Sequence, residues 1–494
     1  ESYVIISRTN STPRHSVILI IAATVCGPVE VVTADYMQTL GQSQRSLALA
    51  GAFTAIADDT SVFYTNPAGA TKFDRTTIGA TINLLNTTSA DLKDSTGNHK
   101  VDATVEDHES AIAPTLSFYR PINDQWTVGL GFGAANGITG NWTDDDGIHR
   151  YSMAEQTLFT IDFVPTVAYE VNDRLSLGLS VNIVAFKHLR TETLIPDTFG
   201  NALLAGVVEP PTPDSPIIGS FVLETRDTAP LGVPPGKFDP AWDEIGFTLG
   251  ALWNVNDRWT FGANYRSEQA ITFDGKATLA FPVLSFAETV DFSMKMDSPA
   301  FLQLGLAYAV IPGRVTWSLD TQWTRWSDAR LFGPPLEVSF SENITVPTGG
   351  GPADLTGVAI DYDANNTLAI RTGIIYRASD NLELMAGYAH DPSILDDDTI
   401  DVLIYTSDRQ WITGGFTYDF GGREAASGWS LSGSLQYIKY DSRTIQAGES
   451  RNLGGLSLPN VDLATGVVGP VPNFESFQFG GHILAGGLEL TYAF

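Results

Sequence analysis

Two arginines, Arg266 and Arg371, and four carboxylates, Asp162, Asp320, Glu383 and Glu489, sit at alternate positions of apolar-alternating stretches, each facing away from neighbours such as Tyr265 or Ile370. A guanidinium held on a face removed from water needs a counter-charge, because an unpaired charge out of water is very costly. Two kinds of chemistry follow. Either the arginines are neutralised by those carboxylates or by a segment packed among them, or one of them is left partly free to hold the carboxylate of an acid ligand, which the forked guanidinium suits. Asp144-Asp145-Asp146 and Asp396-Asp397-Asp398 have the oxygens a divalent cation prefers, and solvated loops are the plainer reading of both runs. Nothing resembles a G-x-S-x-G elbow, an H-E-x-x-H helix or a Gly-rich phosphate loop, so no enzyme activity, cofactor or metal site is expected.

The elements that must position these residues are strands. Segments of about ten residues alternate apolar and polar side chains. About fourteen can be placed, at 77–86, 111–119, 126–134, 158–169, 175–189, 244–253, 259–267, 301–310, 315–326, 368–376, 382–390, 410–418, 429–440 and 482–494. Short turns such as Ile122-Asn123-Asp124, Val171-Asn172-Asp173 and Val255-Asn256-Asp257 join neighbours, since Asn and Asp tolerate left-handed backbone angles and bond their own main chain. Long connections rich in Pro, Gly, Asp and Thr occupy 191–243, 327–367 and 441–481. In the last segment Leu484, Leu488, Leu490, Tyr492 and Phe494 share one face, while Ile483, Ala485, Gly487 and Glu489 share the other.

A soluble sandwich also alternates, but it needs neither such regular strand length nor aromatics gathered near strand ends. The reading is an all-β membrane protein: an antiparallel transmembrane β-barrel of about fourteen strands, short turns toward the periplasm and long loops outside. Closure is obligatory, because hydrocarbon offers no partner for an open edge. Such a barrel is too wide for its own side chains to fill.

With 57 acidic against 28 basic residues the formal charge is −29, which argues against nucleic acid or an anionic lipid surface as the main partner. Cys26 is the one cysteine, so no disulfide framework is available. Residues 1–34 read as a signal peptide, with Arg14 and His15 before the apolar run 17–25 and Val32-Thr33-Ala34 at the cleavage position. Lipid attachment at Cys26 is the alternative.

What fills the barrel precedes the first strand. Residues 47–69 read as compact: Leu47, Leu49, Ala50 and Phe53 form an apolar stripe at helical spacing, Asp58 and Asp59 break it, and Asn66-Pro67-Ala68-Gly69 is strong turn chemistry. Residues 35–76 are therefore a small, partly helical plug and 77–494 the barrel. Gly129, Gly131 and Gly133 fall on the lumen face of the third strand. They either make room for the plug or mark a kink or bulge.

At this point the sequence resembles the FadL/TodX-type outer-membrane transporters of long-chain fatty acids and other hydrophobic compounds. The resemblance rests on Gly51-Ala52, Ala57-Asp58-Asp59 and Tyr64-Thr65-Asn66-Pro67-Ala68-Gly69, which look like the family's hatch, and on Phe118-Tyr119-Arg120-Pro121, Pro165 and the terminal Tyr492-Ala493-Phe494. It implies a fourteen-stranded barrel in the outer membrane of a Gram-negative cell, with a hatch whose Asn66-Pro67-Ala68 moves, and a third strand kinked to open the wall sideways. It also implies passive uptake of fatty acids, alkanes or aromatic hydrocarbons. Phe494 and Tyr492 would serve the barrel-assembly machinery as a signal, and the partners beyond cargo would be outer-membrane lipid and lipopolysaccharide around a monomer. A general diffusion porin is the alternative function, and a barrel hydrolase or adhesin a more distant one.

Overall fold

The structure is a computed structural model. It describes residues 43–94, 103–104, 110–141, 154–197, 216–225, 240–346, 353–360, 362–400, 406–421, 427–446, 449–450, 460–462, 467–469 and 477–494. The expected signal peptide, Cys26 and Asp144-Asp145-Asp146 lie outside them.

Fourteen strands close into one barrel. In chain order they are β1 (Thr77–Asp94), β2 (Ser110–Pro121), β3 (Trp126–Asn141), β4 (Glu155–Asn172), β5 (Leu175–Pro196), β6 (Ile245–Asn254) and β7 (Trp259–Arg266). The second half comprises β8 (Phe301–Ile311), β9 (Val315–Thr324), β10 (Thr367–Arg377), β11 (Leu382–Asp391), β12 (Arg409–Asp419), β13 (Gly428–Ile445) and β14 (Phe477–Ala493). Each is antiparallel to the next, and β14 returns to β1 from Thr77↔Ala493 to Asp94↔Phe477. Every one of the fourteen expected segments corresponds to one of these strands, most of them longer on the loop side. Return of β14 to β1 leaves the sheet no free terminal strand, whose unpaired amides would each cost several kcal/mol in hydrocarbon.

The period-2 pattern decides which face meets lipid. On β14 Leu484, Leu488 and Leu490 are exposed while Ile483, Ala485 and Glu489 are buried, and on β7 Phe261 and Tyr265 face out while Asn264 and Arg266 face in. Aromatic pairs collect at the short-turn end, with ring centroids 4.6 Å apart for Trp126 and Tyr169, 4.3 Å for Trp259 and Tyr308, and 4.6 Å for Trp429 and Tyr492. That is where an interfacial girdle sits. No described helix is long and apolar enough to cross a membrane.

Beyond the other rim the sheet continues, and here the structure departs from the sequence reading. Residues 191–243 and 327–367 carry strands rather than irregular loop, and 268–300, which the strand count passes over, forms a long hairpin. Ile217–Thr225 pairs with the outer end of β5 and with Gln269–Phe281; the latter pairs with Phe286–Ser298, and Leu336–Val346 and Ala353–Ile360 follow. One face of this outer sheet is apolar and closes over a core including Phe273, Phe281, Phe292, Trp326, Phe332 and Ile400. Alternation was present in Gln269–Phe281, but Pro282 and the turn residues around it disguised the hairpin as a break.

Candidate functional site: the plug and its wall

The plug begins, among the described residues, at helix α1 (Gln44–Ala48), capped by Ser43, whose hydroxyl accepts from the Ser46 amide. The apolar stripe expected to run from Leu47 to Phe53 is not one helix. Ala50 and Gly51 take φ of 51° and 79°, ending α1 after little more than a turn, as a left-handed glycine commonly does. Helix α2 (Val62–Thr65) and a 3-10 turn (Pro67–Lys72) complete it.

Asn66 joins the two. Its Oδ1 accepts from the Ala68 amide at 3.2 Å, and its Nδ2 donates to the carbonyls of Thr54, within the plug, at 2.8 Å and of Ala251, on β6, at 3.1 Å. Pro67 opens the 3-10 turn, where its missing N–H costs nothing. Ala68 is wholly buried. Gly69 is required sterically, since a Cβ there would lie 2.2 Å from the Ala57 carbonyl oxygen. Gly51 is conformationally required, and its carbonyl accepts from Gln303 on β8 at 3.1 Å.

Around this segment the plug touches all fourteen strands. Two kinds of contact divide the work. Toward β9, β11 and β14 the wall presents carboxylates. Asp320 accepts the amides of Phe53 at 3.1 Å and Thr54 at 2.8 Å, Glu489 accepts the Gln44 amide at 3.1 Å and the Thr60 hydroxyl, and Glu383 takes Arg45 at 2.7 Å. Glycines of the wall seat the plug on many sides, Gly262 on β7 and Gly387 on β11 as well as Gly178 on β5 and Gly250 on β6. A Cβ on Gly178 would lie 2.2 Å from the Pro67 carbonyl carbon, and one on Gly250 would lie 2.1 Å from Asn66 Oδ1.

Arg45 was not singled out in the sequence. Its Nη2 also pairs with Asp58 at 3.1 Å, and both groups belong to the plug. Burial works against its charge, yet Asp58 and Glu383 outweigh that cost and hold the guanidinium above its usual value. Asp59 is buried and accepts from Ser43, from the Ser61 amide and from the Ser61 hydroxyl. Burial pushes its carboxyl up, against those hydrogen bonds.

The two arginines expected in the lumen are there, each beside a carboxylate. Arg266 lies 3.4 Å from Asp162 and over the Tyr64 ring, and Arg371 lies 3.0 Å from Asp391 and 3.4 Å from the Ala50 carbonyl. Asp391 was missed as a partner; it is the last residue of β11, one position beyond the expected segment. Both arginines line a cavity of about 40 Å³ with Ser46, Phe53, Tyr64 and Ala135. That volume takes water and excludes any hydrocarbon chain.

The three third-strand glycines prove to serve three neighbours. A Cβ on Gly131 would meet the Phe63 ring of the plug at 2.5 Å, one on Gly129 the Tyr119 ring at 2.5 Å, and one on Gly133 the Thr115 side chain at 2.8 Å. The β2–β3 ladder runs from Pro121↔Thr127 and ends at Thr115↔Gly133. Beyond that point β3 continues along β4 to Asn141↔Glu155 with a bulge between Ala134 and Asn136, while β2 continues along β1 to Asn86↔Ser110. A seam therefore opens in the wall beside the cavity, at the end of the glycine run.

Elsewhere, Asp397 pairs with Arg443 and Asp396 accepts from Asn365 at 2.9 Å, so these two of the three acidic residues hold loops together. Phe494 donates its amide to Thr76 at 2.9 Å and stacks edge-on against Tyr492 at 4.8 Å.

A closed fourteen-stranded barrel with an N-terminal plug is a specific architecture, and the model of the family described as outer membrane protein transport protein (OMPP1/FadL/TodX) matches residues 30–427. The chain belongs to that family. It is thus an outer-membrane transport protein. Among curated relatives, the long-chain fatty acid transport protein of Escherichia coli O6:H1 is 24% identical over 389 residues, covering 74% of this chain and 79% of the relative. Among solved structures, a Pseudomonas aeruginosa FadL homologue superposes with a TM-score of 0.67 at 18% identity, covering 95% of this chain and 100% of that one. The Pseudomonas putida toluene transporter TodX does so with a TM-score of 0.62 at 17% identity, covering 92% and 99%. These two establish the shared fold.

Proposed function

We propose that the protein takes up hydrophobic small molecules, fatty acids or hydrocarbons, by passive diffusion: capture on the outer side, displacement of the plug, and sideways exit into the membrane between β2 and β3. The observation that carries the reading is the seam, where the β2–β3 ladder ends at Gly133 beside the bulge at Ala135, which itself lines the cavity. A bulge adds one residue on one strand and turns it from its neighbour. Deleting Ala135 should straighten β3, leave a folded, surface-exposed barrel and lower uptake of a hydrophobic tracer at least tenfold. Undiminished uptake by that variant would sink the lateral route.

The names of the relatives span a long-chain fatty acid and toluene. Arg266 and Arg371 would distinguish an acid from a neutral cargo if either met the carboxylate of a ligand. Their ion pairs with Asp162 and Asp391 support the other reading, in which they brace the wall and plug. Against a general diffusion porin stands the plug, which reaches every strand; planar bilayers should show almost no steady conductance. Phe494, aromatic and terminal on the closing strand, is proposed as part of the assembly signal, so its removal should leave the chain degraded in the periplasm rather than at the surface.

A further inference from the structure

We propose that Arg45 is the latch of the plug, and that transfer of Glu383 from Arg45 to Arg377 is the step that releases the limb of the plug resting on β11 to β14. The proposal rests on the plug-gated reading above and names the contact that governs it. Arg45 donates through Nη1 to Glu383 Oε2 at 2.7 Å and to Thr417 Oγ1 at 3.4 Å, and through Nη2 to both oxygens of Asp58 at 3.1 and 3.3 Å. Arg377, near the short-turn end of the adjacent strand β10, donates through Nε and Nη2 to the other oxygen of the same carboxylate, Glu383 Oε1, at 3.4 Å. One carboxylate is thus shared between a guanidinium of the plug and a guanidinium of the wall.

What makes this contact a latch is the state it leaves behind. Breaking a buried ion pair costs most when it strands an uncompensated charge. Here neither partner is stranded: Arg45 departs with Asp58, which is in the plug and the more exposed of the two, and Glu383 stays with Arg377. The Arg377 contact is long in the closed plug, so it has room to tighten when Arg45 withdraws. The other polar ties of this limb to the wall are hydrogen bonds from amides, hydroxyls and a side-chain amide, which water entering the lumen can replace, and the rest of its seat is packing against wall glycines such as Gly387.

The consequence is a pair of effects of opposite sign. Glu383→Gln weakens the closed state, whereas Arg377→Gln leaves the open state with an unpaired Glu383 and so favours closure. The probe is Ala48→Cys, a buried position on α1, in a chain whose Cys26 is replaced by Ser, reconstituted and titrated with a water-soluble maleimide. Heat-modifiable migration on gels checks that each barrel is folded. Labelling should quicken about tenfold in Glu383→Gln and slow about threefold in Arg377→Gln, with Arg45→Lys intermediate. Labelling that quickens in both, or in neither, overturns the latch. A chain lacking residues 43–72 separates this from the underlying reading: if it conducts freely in bilayers while the two variants do not diverge, the plug gates but Arg45 does not latch it. If the plug-less barrel is as silent as the intact one, gating by the plug is itself wrong and the latch falls with it.

Discussion

The two limbs of the plug are seated alike and differ in the charge that holds them. The limb from Ser43 to Ser61 hangs from Asp320, Glu383 and Glu489 through hydrogen bonds and one ion pair, all of which have partners in water when they part. Both limbs are seated by shape: Gly178 and Gly250 admit the limb from Val62 to Lys72, and Gly262 and Gly387, where a Cβ would lie 2.3 Å from the Thr54 carbonyl oxygen and the Leu49 carbonyl carbon respectively, admit the first. What sets the first limb apart is its ties to three buried carboxylates, whereas the hydrogen-bond partners of the second on the wall are neutral. The cavity lies between the limbs, lined by Phe53 on one side and Tyr64 on the other.

The largest effect should come from the glycine seats under the second limb, where no buried carboxylate helps to hold the plug. Gly178→Val puts side-chain atoms where the Pro67 and Ala68 backbone stands, and Gly250→Val puts them against Asn66 Oδ1, which the Ala68 amide holds in place, and against that amide itself. The plug should be expelled, giving steady conductance in bilayers and protease-sensitive residues 43–72. By comparison Gly414→Ala, whose Cβ would have only the Met385 carbonyl oxygen near it, at 3.6 Å, should leave the plug seated and stay silent. Equal conductance from both would mean that the glycine seats do not hold the plug.

A smaller effect should come from Asn66→Ala, which removes the cap of the 3-10 turn and the ties to Thr54 and Ala251. Losing these bonds costs about 3 kcal/mol of plug stability, given roughly 1 kcal/mol for each. More frequent single-channel openings, on the order of a hundredfold by the usual conversion, should report it, with the barrel's own melting unchanged.

The smallest effect is expected at the cavity arginines. Because each already carries a carboxylate, Arg266→Ala and Arg371→Ala should reduce uptake of oleate and of toluene by the same few-fold factor. Loss confined to oleate would instead make one of them a head-group ligand, and would place cargo recognition between the limbs.

How much of this was legible follows from the range of the interactions involved. Strand positions, the inward face of Asp162, Arg266, Asp320 and Glu489, the short Asn-Asp turns and a compact segment before Thr77 could be read because alternation and turn chemistry are local, set within a few residues along the chain. Even the glycine run on β3 was visible by parity. Its meaning was not: whether Gly131 faces Phe63, Gly129 faces Tyr119 or a ladder ends at Gly133 depends on which residues lie opposite across the lumen and the wall. Arg45 could not be chosen from its neighbours, since Glu383, 338 positions away, makes it a latch. The outer sheet, too, needed pairing between Ile217–Thr225 and Gln269–Phe281 to show that its segments were strands. The sequence alone determined a closed, plugged barrel, because period and solvent dictate both; only the tertiary structure decided which part of the plug is hung on buried charge, because that is settled by partners the chain brings together from far apart.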